Sequence, residues 1–215
     1  MDTRPPHSRG GLRTEATVFI QIIQGKCTRQ DELHALADRW RQEIGPQADG
    51  WLGGTYGFTD DDMFVGVVRF ESREKAMANS RRPEQGAWAE QMMALMDGEV
   101  TYHDCDDVTL LMDGGSDDAG FVQVIRGKVD DPSRLKAMLT RDSTMLHEMR
   151  PEILGATLAI EPDGTFTETV AFTDEASARK GESMEPPEEV RAELDYAMSG
   201  ATFYDLHRPW FDSAD

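Results

Sequence analysis

Gln21 and Gln123 are the most telling polar residues of the chain. Each stands inside an otherwise apolar run, Phe19-Ile-Gln-Ile-Ile-Gln-Gly-Lys26 and Phe121-Val-Gln-Val-Ile-Arg-Gly-Lys128. An amide carried into an apolar layer costs free energy unless it is hydrogen-bonded. Two readings follow: each glutamine serves a neighbouring structural group, or it is a polar point in a cavity that orients a ligand or a water. Other chemistry-bearing patterns are lacking. The five histidines, His7, His34, His103, His147 and His207, show no ligand spacing such as HExxH, so no metal centre is expected. There is no GxSxG elbow, no Cys/His pair with a known signature and no glycine-rich strand–turn–helix for a dinucleotide.

The two glutamine runs also show that the chain repeats itself. Their offset is 102 residues, Gly25 matching Gly127. Continued without a gap, the offset maps Leu33 onto Leu135, Gly53 onto Gly155, Phe64 onto Phe166, Phe70 onto Phe172 and Ala76 onto Ala178. It then maps Gly98 onto Gly200, Tyr102 onto Tyr204 and His103 onto Asp205. A repeat of this kind precedes any other statement about fold. The expected divisions are a disordered tail at 1–14, a first unit at 15–112, a linker at 113–118 and a second unit at 119–211.

Patterning places the elements. Ala16–Gln24 reads as a strand, and Thr28 is the expected cap of a helix whose apolar face is Leu33, Leu36, Ala37 and Trp40. Gly45-Pro46 closes that helix. Trp51–Phe58 and Met63–Phe70 are strands joined by the turn Thr59-Asp60-Asp61-Asp62. Ser72 caps a second helix, which Pro83 interrupts and which resumes near Glu84 toward Met96. Glu99–Met112 contains the fourth strand. The second copy repeats this order: Phe121–Arg126, a helix over Ser133–Glu148, a hairpin at Pro162-Asp163-Gly164, a helix interrupted at Glu185-Pro186-Pro187, and a last strand at Thr202–Leu206.

Strand–helix–strand–strand–helix–strand is the ferredoxin-like βαββαβ motif, an α+β unit with helices on one face of a four-stranded antiparallel sheet. Yet Phe19, Ile20, Ile22 and Ile23 make both faces of the first strand apolar, as in a sheet buried on both sides. The two sheets are therefore expected to face each other, giving a pseudo-dimeric α/β barrel with helices outside and a central space between the sheets.

Composition narrows the partners. The net charge of −19, from 41 acidic and 22 basic residues, repels phosphate backbones, so no nucleic acid is expected. No apolar run is long enough for a membrane span. Cys27 and Cys105 are expected as reduced, structural thiols, with Val129 and His207 at the repeated positions, and the expected location is cytoplasmic. The expected assembly is a monomer (a pseudo-dimer in itself) or a homodimer.

The stretch Phe70-Glu-Ser-Arg-Glu-Lys-Ala76, followed by Asn79-Ser-Arg-Arg-Pro-Glu-Gln-Gly-Ala-Trp88, resembles the second-helix region of antibiotic-biosynthesis-monooxygenase-like domains. With the repeat, the chain from about residue 17 to 208 resembles the tandem form of the dimeric α/β-barrel superfamily. The resemblance implies aromatic, Asn and Arg side chains around an aromatic substrate. By residue type the catalytic candidates are Arg69, Asn79, Trp88 and His103, and the ligand-binding candidates are Tyr56 and Tyr102 beside Gln21 and Gln123. Trp88 equally fits a helix–sheet packing stripe, Asn79 a backbone cap, and Tyr102 a packing role. No cofactor is expected: a haem enzyme of this kind needs an axial histidine on the second helix, and neither copy has one. The implied function is cofactor-independent oxidation of a small apolar or aromatic molecule, the substrate supplying the electrons. The alternatives are a non-enzymatic ligand-binding barrel, which the threonines Thr165, Thr167 and Thr169 suit, or a structural one. The first copy holds the richer set, with Arg69, Asn79 and Trp88 facing Ala171, Gly181 and Val190, and Gly66 facing Glu168.

Overall fold

The computed structural model describes residues 18–112, 114–141, 149–185 and 188–214. The expected tail at 1–14 and the end of the helix expected to reach Glu148 lie outside the described residues. The first half runs β1 (Phe19–Lys26), α1 (Gln30–Glu43), β2 (Trp51–Phe58), β3 (Met63–Phe70), α2 (Arg73–Ser80), α3 (Pro83–Leu95) and β4 (Val100–Cys105), then β5 (Asp107–Leu111). The second runs β6 (Phe121–Lys128), α4 (Pro132–Arg141), β7 (Ile153–Ile160), β8 (Thr165–Phe172), α5 (Glu175–Glu182), α6 (Glu188–Met198) and β9 (Thr202–Leu206), then β10 (Trp210–Ser213).

The sheets have five strands each, not four: β10-β2-β3-β1-β4 and β5-β7-β8-β6-β9. Glu99–Met112 is two strands rather than one. The chain breaks at Asp106, and β5 crosses to pair with β7 of the second half, while β10 returns to pair with β2 of the first. Both additions cover a sheet edge whose N–H and C=O groups would otherwise lack partners.

The offset of 102 holds from β1 through α2. Ile20 opposite Arg69 matches Val122 opposite Ala171, and the Ser72 cap, Oγ accepting from Lys75 N at 3.3 Å, matches the Asp174 cap, Oδ1 accepting from Ser177 N at 2.8 Å. It fails at the last strand. Ile20 faces Cys105, whereas Val122 faces Leu206. The second copy is one residue shorter before β9, so Asp104 matches Asp205, His103 matches Tyr204, and Cys105 matches Leu206 rather than His207. Thr28 does not cap α1, which begins after Arg29 without a side-chain cap. Its N–H and Oγ1 instead donate to Asp97 Oδ2 at 2.6 and 2.9 Å, tying the segment after β1 to the turn between α3 and β4.

Alternation along the strands sorts side chains into two layers. Phe19, Gln21 and Ile23 face the helices, with Leu33, Leu36 and Met92 packed over Ile23. Ile20 and Ile22 face the other sheet, with Val65 and Val67, and meet Val122, Val124, Ala171 and Leu206 in one cluster. The sheets approach so closely that a Cβ on Gly57 would lie 2.9 Å from Leu206 Cβ. The central space expected between the sheets is therefore filled with side chains. Polar pins sit at its margin: Arg126 Nη2 lies 3.1 Å from Glu161 Oε1, and His103 Nδ1 lies 3.3 Å from Glu161 Oε2. No described helix is long and apolar enough to cross a membrane.

A fragment of residues 12–112 loses both the opposing sheet and β10. Each large apolar side chain fully uncovered costs roughly 1.5–3 kcal/mol, against about 5–15 kcal/mol for a whole domain. Sedimentation of this fragment should show a homodimer or aggregates. A soluble monomer with a cooperative melt would contradict the face-to-face packing.

Candidate functional site: an aromatic-walled cavity in the first half

The cavity lies between the first sheet and its helices and encloses about 80 Å³. Its floor comes from the helix-facing positions of β1, β2 and β3, with Ile23, Tyr56, Phe64 and Val68; its roof comes from Leu33, Ala37 and Trp40 of α1 and from Trp88 and Met92 of α3. The break between α2 and α3 brings Asn79, Ser80 and Gln85 to one end, and the added strand β10 brings Asp212. All four tryptophans of the chain, Trp40, Trp51, Trp88 and Trp210, pack in this half. Trp40 meets Trp51 edge-on at 5.0 Å and Trp88 at 6.4 Å. Trp210 stacks on Tyr56 at 5.5 Å and on His34 at 4.4 Å, so its ring stands between the cavity and an open polar cleft that includes His34, Asp60, His207 and Arg208.

The polar groups of the cavity differ in how firmly they are held. Asn79 is buried and fixed: its Nδ2 donates to Gln85 Oε1 at 3.2 Å, and its Oδ1 accepts from Arg82 Nη1 at 3.1 Å. Trp40 Nε1 donates to the same Gln85 oxygen at 2.6 Å. Gln21 Nε2 donates to Asp104 Oδ1 at 2.8 Å. The side chain of Tyr56 makes no hydrogen bond among the described residues, and Asp212 is held on one side only, its Oδ1 lying 3.3 Å from Arg41 Nε. Burial pushes the Tyr56 hydroxyl well above the usual range, and the Asp212 carboxylate adds to the rise. Burial likewise raises the Asp212 carboxyl, with Arg41 opposing.

Of the eight residues singled out in the sequence, four meet at the cavity: Gln21, Tyr56, Asn79 and Trp88. Trp88 Nε1 donates to Leu36 O at 3.0 Å, so this ring also ties α3 to α1. Arg69 is one residue out of phase with Val68 and points to the opposite face of the sheet, where Nη1 donates to Thr55 Oγ1 at 3.0 Å. His103 shares that face and is bound to Glu161. Tyr102 faces the helices but lies at the open edge, 46% exposed, its hydroxyl 3.7 Å from Met93 Sδ. Gln123 is in the other half, donating to Asp205 Oδ1 at 2.9 Å and Glu182 Oε1 at 3.2 Å. The sequence reading missed Asp212 and Trp210, because they lie beyond the last expected strand. The available signal was the aromatic pair Trp210-Phe211, whose residue types favour a strand.

Solved structures share this whole architecture. A proposed monooxygenase from Lactobacillus acidophilus NCFM aligns over 93% of this chain and 100% of its own, with TM-score 0.69 at 12% identity. One from Fusobacterium nucleatum subsp. nucleatum aligns over 93% and 95%, with TM-score 0.72 at 11% identity. An anthrone oxidase-like protein aligns over 93% and 94%, with TM-score 0.65 at 10% identity. This chain is a fused, pseudo-dimeric α/β barrel. At such identities the likeness is one of fold. No family model matches the chain, and no curated protein matches it.

The barrel's two halves treat the cavity position differently. Where the first has Tyr56, the second has the fully buried Leu158; where the first has Asn79, the second has Gly181, with the paired Arg150 and Glu152 side chains packed against it. Gly66 gives way to Glu168, which is only 7% exposed and lies opposite Ile125 and Leu158. Burial alone pushes the Glu168 carboxyl up to about 7.

Glu168 should make stability fall with pH. Below the range of an ordinary carboxyl both states hold the proton. As pH rises the unfolded chain, with its ordinary value of 4.5, releases it first. The folded form then loses stability until the pH passes about 7, a loss of roughly 3 kcal/mol. Glu168→Gln should flatten this part of the profile. Denaturant midpoints at pH 5 and pH 8 check it, and equal differences between the two pH values in both proteins would refute it.

Proposed function

We propose that the barrel binds a small aromatic molecule in the first-half cavity and oxidises it with molecular oxygen without a cofactor. The observation that carries this reading is the cavity of the first half, with its tryptophan walls and polar end, which has no counterpart among the described residues of the second. The neighbours described as proposed monooxygenases and as anthrone oxidase-like support the reaction class.

Size sets the substrate. Clefts for drug-sized ligands measure roughly 300–1,000 Å³, and an apolar cavity of about 150 Å³ holds benzene. A space of about 80 Å³ suits one ring after small side-chain shifts, and larger systems require α1 and α3 to part. For a phenol with a free para position, oxidation balances as phenol plus O₂ giving para-quinone plus water. One oxygen atom enters the ring as a carbonyl, the other leaves as water, and the ring supplies the electrons. Loss of the hydroxyl proton makes the ring electron-rich enough to react with oxygen. The site's tasks are to hold the ring between Trp40, Trp88 and Tyr56 and to orient its hydroxyl toward the polar end.

Phenol titration should quench tryptophan fluorescence, since all four indoles lie in this half. Ala37→Leu, which fills the cavity from α1, should weaken that binding at least tenfold, about 1.4 kcal/mol. An oxygen electrode with a panel of phenols should record one O₂ consumed per quinone formed. Saturable binding with no oxygen uptake across the panel would leave a binding protein and reject the oxidation.

A further inference from the structure

We infer that Asp212, on the C-terminal strand, selects the ligand of this cavity: it accepts a hydrogen bond from the hydroxyl of a neutral aromatic molecule and disfavours aromatic carboxylates. The inference rests on the reading of the cavity as an aromatic-molecule site and adds the residue that sets its specificity.

Asp212 is 7% exposed and lines the cavity; its Oδ1 is ion-paired with Arg41 Nε at 3.3 Å, and its Oδ2 makes no hydrogen bond among the described residues. A carboxylate this buried is costly unless paired, and Arg41 pairs only one of its two oxygens. The fold does not require it. Asp212 pairs with Gly54 of β2, and the residue at the same place in the second sheet is Leu111, which pairs with Ala156 of β7. Leu111 is buried in the apolar core of its half. A leucine therefore serves the sheet and the packing at this position, and the carboxylate is a departure specific to the half that holds the cavity.

The surrounding charges define what the carboxylate accepts. Arg41 Nε of α1 lies 3.3 Å from Oδ1, so the pair is already neutral overall. Asp38 and His34 of α1 and Asp117 of the linker also act on Asp212, and Tyr56 of β2 feels its charge. None of the lining residues is Lys, Arg or His, and Arg69 is on the far face of the sheet. A carboxylate ligand would enter beside Asp212 with no cation in the wall to meet it. A hydroxyl supplies a hydrogen to Oδ2, the oxygen that Arg41 does not pair, and its ring occupies the space between the indoles.

Phenol, benzoate and toluene, titrated into the full-length protein at pH 7 with tryptophan fluorescence as the readout, test this. Wild type should bind phenol at least about tenfold more tightly than benzoate and also more tightly than toluene. Asp212→Asn should narrow the phenol–benzoate gap to less than about threefold. Asp212→Leu, which copies the residue of the other half and so suits the sheet, should bind toluene at least as well as phenol. Equal binding of benzoate and phenol by wild type, or a gap unchanged in both variants, overturns the inference while leaving the cavity as a binding site. Failure of all three probes to bind the folded wild type overturns the cavity reading and the inference with it.

Discussion

The close approach of the two sheets is the constraint from which the rest of the barrel follows. Ile20, Ile22, Val65 and Val67 of one sheet share a cluster with Val122, Val124, Ala171 and Leu206 of the other. At Gly57 the gap admits no side chain at all. A layer packed to that density holds no ligand. Any cavity must open on the helix side, where the roof is made of separate helices rather than of a second hydrogen-bonded sheet. The helix break at Pro83 matters for the same reason: it turns α3 away from α2 and places Asn79 and Gln85 at the cavity end instead of continuing one rod over the sheet.

Exchange of the edge strands fastens this arrangement. β5 leaves the first half at Asp106 and edges the second sheet, and β10 leaves the second half at His207 and edges the first. Backbone hydrogen bonds therefore join the halves in addition to apolar contact. Separating the chain between β5 and β6 would therefore break a strand ladder on both sheets. The exchange also has a chemical consequence. The residues completing the first-half cavity come from opposite ends of the chain, with Gln21 near the start and Asp212 near the finish.

Much of the fold was legible because the repeat and the strand alternation are properties of residue order. Phe19, Ile20, Ile22 and Ile23 already announced a sheet buried on both faces, and Ser72 and Pro83 marked the helix start and break where they occur. The gap-free offset misled at the last strand, since a one-residue difference between the copies somewhere before it leaves no trace in composition. The exchange was illegible for a related reason: β4 and β5 lie within Glu99–Met112, which reads as holding a single strand, and nothing local says which sheet receives its second part. The site was half legible. Residue type drew attention to Asn79 and Trp88, which do meet at the cavity. It also drew attention to Arg69 and His103, whose parity along their strands puts them between the sheets. Parity was available for Arg69, one step from Val68, and it outranks residue type as evidence of where a side chain points.

Comparison of the halves separates what the fold needs from what one cavity needs. Gln21 bonded to Asp104, with Arg73 reaching Asp104 and covering the Phe19 ring at 4.9 Å, is one arrangement. Gln123 bonded to Asp205, with Arg179 reaching Asp205 and covering the Phe121 ring at 5.1 Å, is the same arrangement again. The arginines come from different turns of their helices, so the chain reached the same relay by two routes. The relay persists in the half where Leu158 and Leu111 stand in place of Tyr56 and Asp212. Its glutamine, the residue that first suggests chemistry in this sequence, therefore has a structural role that both halves share. The cavity side chains without a counterpart in the second half are different ones: Tyr56, Asp212 with its Oδ1 paired to Arg41, and the indoles beside them. A homodimer would repeat such costly groups in both subunits, whereas a fused chain confines them to one half and lets the other pack for stability.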